Sequence, residues 1–435
     1  MTSPLLASRS VSAYHLRTAS DTTADSGIFS ISLPSGRKYT FLRVAFSALM
    51  AIRVVGRVAV RCVKPNFAGR AAFPWYGEHV HSMKETNPCL LQRWENENFL
   101  NFSSVNSRLD SMSNSEALAS FGFFTTAQEV VEAFPGEATG RTAVVTGGGG
   151  GGIGRETVRA LVAAGCAHVV LCARNVAAGQ AVADEVNRGS KADVVKVVLL
   201  DLADLESVKR AAEAIKDEHS GIDFLVLNAG VMMCPLMRTK QGLEMQFGTN
   251  HIGHFLFTKL LLERVVAAGT ESQPSRVVSL SSIAHTLGRI RLDDLNYDNR
   301  WYESITAYGQ SKLANLLFAR QLARRLARDG QGARVKVYSV HPGSIVTGLQ
   351  RHSMGSYYFQ KFIGMALRRL GGWQLSTKTV EEGASTTLVA CLAPGLETGS
   401  YLVSCQVAKS SARGEDEAMM EALWEASEAL VRDFL

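Results

Sequence analysis

The chain has 435 residues, 46% apolar and 20% charged, which is enough to bury a sizeable core and excludes wholesale disorder. The length predicts two or three domains, or one large domain with an extension, and the lack of any run of about 18 uncharged apolar residues argues against a membrane-spanning helix. The net charge of +6 is uneven: residues 1–80 hold ten Lys/Arg against three Asp/Glu while the remainder is close to neutral, so charge excludes the main body as a nucleic-acid binder.

Residues 1–115 are rich in Ser and Arg and poor in acids. Their one apolar stretch, Phe41 to Val63, is broken by Arg43, Arg53, Arg57 and Arg61. The last three recur every fourth residue, so a helix there would carry a basic stripe, suited to peripheral contact with an anionic membrane or to an organelle-targeting peptide. A non-folding extension, or upstream sequence wrongly joined to the coding region, stands equally beside that reading. The seven cysteines (Cys62, Cys89, Cys166, Cys172, Cys234, Cys391 and Cys405) are odd in number and scattered, with no C-x-x-C. They point to free thiols in a reducing compartment, not to a disulfide framework or a zinc site, and no metal is expected.

From about Leu118 apolar strands alternate with helical patterns. Strands are expected at Thr142–Thr146, His168–Cys172, Val194–Leu200, Phe224–Leu227, Arg276–Leu280 and Val335–Val340. Helices are expected between them at Arg155–Ala164, Ala177–Asn187, Leu205–Glu218, Met245–Ala267 and Ala307–Arg328. Continuous apolar strands in strict β/α alternation predict an α/β fold: a doubly wound parallel sheet of Rossmann type, in one catalytic domain over 116–435 with the extension 1–115 before it.

The first strand runs into Thr146-Gly147-Gly148-Gly149-Gly150-Gly151-Gly152-Ile153-Gly154 and then a helix. Glycines at that turn let backbone N–H groups approach a pyrophosphate at a helix N-terminus, whereas a poly-Gly run elsewhere would be a plain flexible loop. Past the second strand, where an NAD-binding unit would carry Asp or Glu for the ribose 2′-OH, the chain reads Cys172-Ala173-Arg174-Asn175. Arg174 pairs with a 2′-phosphate instead, which favours NADP(H) over NAD(H); an ordinary surface arginine is the bland alternative.

In order along residues 118–435 these features resemble the short-chain dehydrogenase/reductase family. The resemblance places Asp201-Leu202 at the adenine, Asn228-Ala229-Gly230 along the cofactor, and Asn250, in Asn250-His251-Ile252-Gly253-His254-Phe255, on the active-site helix. It places Ser282 after the fifth strand, Tyr308 and Lys312 in a Y-x-x-x-K run, and His341-Pro342-Gly343-Ser344-Ile345-Val346-Thr347 over the nicotinamide. Gly148, Gly152, Ile153, Gly154, Arg174, Pro342, Gly343 and Thr347 are thereby implied cofactor contacts, joined by Tyr308 and Lys312. Asn250–Phe257 (NHIGHFLF), Ala307–Phe318 (AYGQSKLANLLF), Phe121–Glu132 (FGFFTTAQEVVE) and Leu423–Glu428 resemble the retinol-dehydrogenase-like group, which includes WW-domain oxidoreductases and a chloroplast-translocon-associated dehydrogenase. Protochlorophyllide reductases are relatives, but the surroundings of Tyr308 are less like theirs.

Tyr308 and Lys312 lie four apart, so both leave one helix face. A tyrosine titrates near ~10, and a nearby ammonium is expected to lower that value and fit it to exchange a proton with a carbonyl oxygen. Ser282 would bond the same oxygen, or else simply cap the strand end on its own backbone. The resemblance gives Lys312 the nicotinamide ribose and Asn250 a water relay; capping a neighbouring strand is the plain reading of Asn250. The family's T-G-x-x-x-G-x-G is one residue longer here, and the extra glycine is expected directly after Thr146-Gly147, ahead of Gly148, Gly152 and Gly154. Leu349–Leu375, in the family a lid, carries Tyr357, Tyr358, Phe359, Phe362, Ile363, Met365 and Leu367. It suits a small apolar substrate, or packs as core.

The expectation is an NADP(H)-dependent oxidoreductase interconverting an apolar aldehyde or ketone and its alcohol. An NADP(H)-binding redox-sensing scaffold on a membrane complex with little turnover, and a protochlorophyllide-reductase-like enzyme, are the alternatives. The resemblance also implies a homodimer through the two long helices, and residence in a plastid or mitochondrion if the extension is a transit peptide, otherwise in the cytoplasm.

Overall fold

Phe224–Leu227 reads FLVL and Ser275–Leu280 reads SRVVSL, and every residue of both is buried. Strands with no polar face need helices on both sides. The computed structural model supplies them; it describes residues 28–32, 38–42, 54–55, 57–58, 114–189, 193–345 and 377–435.

The sheet has eight strands: β1 (Thr142–Thr146), β2 (His168–Ala173), β3 (Val195–Leu199), β4 (Phe224–Leu227), β5 (Ser275–Leu280), β6 (Val335–His341), β7 (Tyr401–Val403) and β8 (Gln406–Ala408). Their order is β8-β7-β6-β5-β4-β1-β2-β3. β1 to β7 run parallel, and only β8 turns back against β7. The chain builds outward from β1 to β3 and then crosses to β4 on the other side of β1. Such a reversal opens a crevice at the carboxyl ends of the two central strands.

The helices are α1 (Asn114–Ser120), α2 (Ala127–Ala133), α3 (Ile153–Ala163), α4 (Val176–Arg188), α5 (Leu205–Glu218), α6 (Gly253–Ala268), α7 (Ser304–Arg328), α8 (Val380–Leu392) and α9 (Glu417–Val431). Most start on a side chain that satisfies first-turn N–H groups: Thr126 and Thr379 with complete capping boxes to Glu129 and Glu382, and Asn175, Asp204 and Asp416 singly. α3 starts at Gly152 with no side-chain cap. One apolar cluster under α5, α6, α7 and α9 includes Leu205, Val208, Phe255, Leu261, Leu313 and Leu317. The other, under α2, α3, α4 and α8, includes Val130, Val158, Leu161, Val182 and Leu388.

The helix expected from Met245 enters in three pieces: an α turn Met245–Phe247, a π turn Gly248–Ile252, and α6. The buried Glu244 carboxylate starts it by accepting from the N–H groups of Gln246 (3.0 Å) and Phe247 (2.7 Å). Gly253 lets it press on β3's exit, where a Cβ would stand 2.5 Å from the Leu202 oxygen.

By contact the chain divides into two units, Met1–Asn98 and Phe99–Leu435. In the first unit Ile28–Ser32 pairs antiparallel with Lys38–Leu42, and Val54–Val55 with Arg57–Val58. Extended backbone at Arg57 breaks the basic-striped helix expected there, and the rest of that stretch beyond Leu42 lies outside the described residues, as do Cys62 and Cys89. The five described cysteines are buried, with none in a disulfide. Among the described residues, no helix is long and apolar enough to cross a membrane.

α9 lies across both long helices expected to pair two copies. Trp424 stacks on Phe318 at 6.0 Å and meets Phe255 edge-on at 4.9 Å, with the Arg325 guanidinium 4.6 Å over its ring. Lys259 pairs with Glu428 at 2.7 Å, and Arg324 and Arg325 pair with Glu417 and Glu421. The surface that α9 covers is not open to a second copy. Trp424→Ala should therefore cost about 3–5 kcal/mol and lower the melting temperature by many degrees. A thermal melt within a degree of the parent's would show that α9 is dispensable to the core.

Candidate active site

A cleft of about 430 Å³ lies along the crevice between β1 and β4. Its lining runs from Gly147 and Gly149–Gly154 past Cys172–Asn175, Leu200–Leu202 and Asn228–Met232 to Thr249, Leu280–Ser281, Tyr308, Lys312 and Pro342. Among the residues predicted from sequence, Gly152, Ile153, Gly154, Arg174, Asp201, Leu202, Asn228, Ala229, Gly230, Tyr308, Lys312 and Pro342 thus meet on one surface.

The glycine turn differs from the expected register. Gly147, not Gly148, holds the positive φ (+77°) and the close approach: a Cβ there would stand 2.7 Å from the Ala229 Cα. Gly154 comes next to it, where a Cβ would lie 2.5 Å from the Asn228 Nδ2 and 2.7 Å from the Gly147 oxygen. Gly148 is turned inward against Leu171 and does not line the cleft. Room for an extra residue is found further on, at Gly150 and Gly151, where a Cβ would meet nothing within 4 Å. A tight turn has no room for an insertion, and its solvent-facing crown has. The crown leads into the uncapped N-terminus of α3, whose first N–H groups have no side-chain partner and suit an anionic ligand.

Thr146 ties this turn to the rest of the site. Its fully buried hydroxyl oxygen accepts from the N–H groups of Asn228 (2.9 Å) and Ala229 (3.0 Å), and Asn228 Nδ2 donates to its carbonyl at 2.7 Å. The hydroxyl proton is then left for His254 Nε2, 2.9 Å away. His254 must carry its own proton on Nδ1, which lies 2.9 Å from the Asn250 carbonyl. Burial holds His254 down to about 4, so the ring is neutral at physiological pH. Neither Thr146 nor His254 stood out as a site residue in the sequence; the only signal was the Thr directly before the glycines.

Asn250 sits in the π turn, fully buried behind the lining. Its amide accepts from the Val231 N–H (2.8 Å) and donates to the Val231 carbonyl and to Ser311 Oγ (both 2.9 Å). These bonds make Asn250 a brace between the β4 exit and α7, the strand-capping role left open beside the relay. Gly230 admits it: a Cβ there would meet Asn250 Oδ1 at 3.0 Å and Lys312 Nζ at 3.7 Å.

Ser282, two residues past β5, is extended and caps the 3-10 turn Ile283–Thr286, its Oγ accepting from the Ala284 N–H at 3.2 Å. The same hydroxyl stands close enough to the Tyr308 phenol to pull its pKa down. Lys312 Nζ donates to the Leu280 carbonyl at 2.9 Å and lies 5.7 Å from the centre of the Tyr308 ring. The expected lowering of the phenol by the ammonium is not what this arrangement produces. Burial pushes Tyr308 up to about 12, with only Ser282 pulling it back, and burial brings Lys312 down to about 8. Desolvation outweighs the mutual attraction of the two groups because the ammonium is aimed at Leu280.

Arg174 is exposed at the end of β2, lines the cleft, and has no ion pair among the described residues. Asp201 accepts from the Ala203 N–H at 3.0 Å and turns the chain after β3. Gly343 has φ +95° and packs on the stem of Lys378, outside the cleft lining. Thr347 and the lid Leu349–Leu375 lie outside the described residues.

Residues 141–355 match the family model described as short chain dehydrogenase. Retinol dehydrogenase 12 of Mus musculus is 42% identical over 290 residues, covering 66% of this chain and 85% of that protein. The short-chain dehydrogenase TIC 32 B, chloroplastic, of Brassica napus is 38% identical over 317 residues, covering 72% and 94%. Among solved structures, an uncharacterised protein from Mycobacterium paratuberculosis superposes with a TM-score of 0.55 at 35% identity, covering 71% of this chain and 98% of that one.

A lysine held down to about 8 in the fold keeps its proton to about 10.4 once unfolded. Between those values the unfolded state binds more protons, so the stability owed to this group rises with pH. In urea titrations of the cofactor-free protein, the gap between parent and Lys312→Met should shift toward the parent from pH 8 to 10. A gap independent of pH would mean that the lysine titrates normally in the fold.

Proposed function

The chain belongs to the short-chain dehydrogenase/reductase family of oxidoreductases, in its retinol-dehydrogenase-like group, and from that we propose that it interconverts an apolar aldehyde or ketone and its alcohol with NADP(H). The observation that carries this reading is the single cleft that joins the glycine turn, Arg174 and the Tyr308–Lys312 pair.

The lining suits a dinucleotide. The glycine crown and the uncapped start of α3 would hold the pyrophosphate, Leu200–Leu202 the adenine side, and Asn228–Gly230 the length of the cofactor. The exposed guanidinium of Arg174, without an ion pair among the described residues, would take a 2′-phosphate, which favours NADP(H). When bound, the cofactor supplies or accepts the hydride. Proton work falls to this chain's residues. A phenol held up to about 12 is fully loaded at neutral pH and serves as the acid toward a carbonyl oxygen. Ser282 stands beside that phenol and would bond the same oxygen. Lys312 would reach the nicotinamide ribose. Asn250 keeps Gly230–Val231 and Ser311 in place around them. Reduction is the direction that a loaded acid and NADPH favour.

An apolar substrate is supported by Ile283 and Leu287, 59% and 56% exposed, at the start and just past the end of the 3-10 turn that follows Ser282. The likeness to a chloroplastic relative over 72% of the chain favours a plastid, and keeps a second reading open: an NADP(H)-binding sensor with little turnover.

A panel of apolar aldehydes and ketones with NADPH and NADH tests both readings. Consumption of NADPH with one of them is expected; binding of NADPH with no turnover across the panel would favour the sensor. Tyr308→Phe should lose at least about 10²-fold in kcat while NADPH affinity stays within about twofold, and retained turnover would remove the phenol from its role. Arg174→Asp should swing the preference toward NADH. An unchanged ratio of kcat/KM values for the two cofactors would exclude Arg174 from the 2′-phosphate.

A further inference from the structure

The turn that carries Ser282 is held from outside the site. His285 follows Ser282 by three residues on the 3-10 turn Ile283–Thr286, and its ring is buried, 1% exposed. One ring nitrogen, Nδ1, lies 2.7 Å from the Ser282 carbonyl. The other, Nε2, accepts from the backbone N–H of Ser411 at 3.1 Å, a residue 126 positions further along the chain. Because Ser411 is the donor, Nε2 carries no proton. The proton sits on Nδ1 and is given to the Ser282 carbonyl, which fixes the tautomer.

Other contacts press the same segment onto the same turn. Arg413 NH1 donates to the carbonyls of Thr286 and Gly288, both at 3.2 Å. Arg320, from α7, donates to Ser410 Oγ at 2.9 Å and to the Gly414 carbonyl. Tyr401 meets the His285 ring edge-on at 5.1 Å. On the inner side the turn abuts α7 one residue from Tyr308, where the Gly288 and Gly309 backbones leave no room for a Cβ.

We propose that His285 is a positioning residue: its ring couples the backbone of Ser282 to the C-terminal segment 410–415, so that the hydroxyl facing Tyr308 is held in place by Ser411. This rests on the reading of Ser282 as a site residue. The ring is a brace only while neutral, since a proton on Nε2 would face the Ser411 N–H. Burial lowers its pKa, the Ser282 carbonyl raises it, and Arg320 lowers it again; the other titratable groups facing it are His341 and Tyr401.

Ser411→Pro deletes that one donor, and the native φ of −65° at Ser411 suits proline. His285→Asn keeps a short amide for the Ser282 carbonyl but does not reach Ser411 and does not titrate. Each change should lower kcat about tenfold, because a small misplacement of the reacting groups is costly, with KM within about twofold. The double variant should be no worse than either single one, since both cut the same link. The acid limb that His285 gives the kcat profile should vanish in both variants, because in Ser411→Pro no link is left for a proton on Nε2 to break and in His285→Asn nothing titrates. Unchanged kcat in folded variants, or additive losses, would overturn the proposal. Nitrogen-detected NMR of the cofactor-free protein reads the link without turnover: an Nδ1–H tautomer whose shifts move in Ser411→Pro is expected. An Nε2–H tautomer overturns the brace, whether or not any aldehyde is reduced. A parent that reduces none of the panel while keeping the Nδ1–H tautomer refutes the function and not the brace.

Discussion

One buried hydroxyl sets where the two halves of the site stand. Thr146 closes β1, and with two N–H groups donating to its oxygen and its own proton given to His254, it leaves no freedom to the start of the Asn228–Gly230 turn. His254 passes the constraint to the Asn250 carbonyl, and Asn250 passes it through its amide to Val231 and Ser311. Ser311 lies one residue before Lys312, so the dinucleotide turn and the proton-handling helix share a single run of neutral hydrogen bonds. Every buried group along it is satisfied, which is the condition under which a buried polar network specifies one geometry.

The same burial that makes the network stiff works against charge. Tyr308 and Lys312 are both driven toward their neutral forms, the phenol up to about 12 and the ammonium down to about 8. A scheme in which lysine makes tyrosine acidic asks for the ammonium to face the phenol, and here it faces the Leu280 carbonyl instead. Held up in this way the phenol keeps its proton at neutral pH and is a weaker acid than a free tyrosine, so the unliganded cleft keeps that group neutral.

The sheet was legible because a strand buried on both faces leaves a run of apolar residues that no helix pattern imitates: TAVVT, FLVL and RVVSL all fall where expected. The residues at the carboxyl ends of those strands were legible for the same reason, since topology alone delivers them to the crevice. Three things were not. The π turn at Gly248–Ile252 shifts the register by one residue, and helical periodicity does not resolve a shift of that size. The place of the extra glycine depended on which glycine meets Ala229, a contact 82 residues away that a run of identical residues cannot encode. The closure of α9 over α6 and α7 depended on Trp424 reaching Phe255 and Phe318, aromatic contacts with no local signature.

Those blind spots share a cause. Local pattern records which face of an element is apolar; it does not record which distant polar group completes a turn. The glycine crown illustrates the cost. Gly147 and Gly154 meet backbone and Asn228 so closely that neither tolerates a Cβ, while Gly150 and Gly151 face open space. Room for an added residue therefore exists in the solvent-facing part of the loop and not in the anchored part. Gly148 and Gly149 pack against Leu171 and Ala173, so the freedom that glycine adds to this loop is confined to Gly150 and Gly151. The open part of the glycine loop and the surroundings of Tyr308 and Lys312 are thereby fixed by separate parts of the chain, the second by the Thr146–His254–Asn250 run.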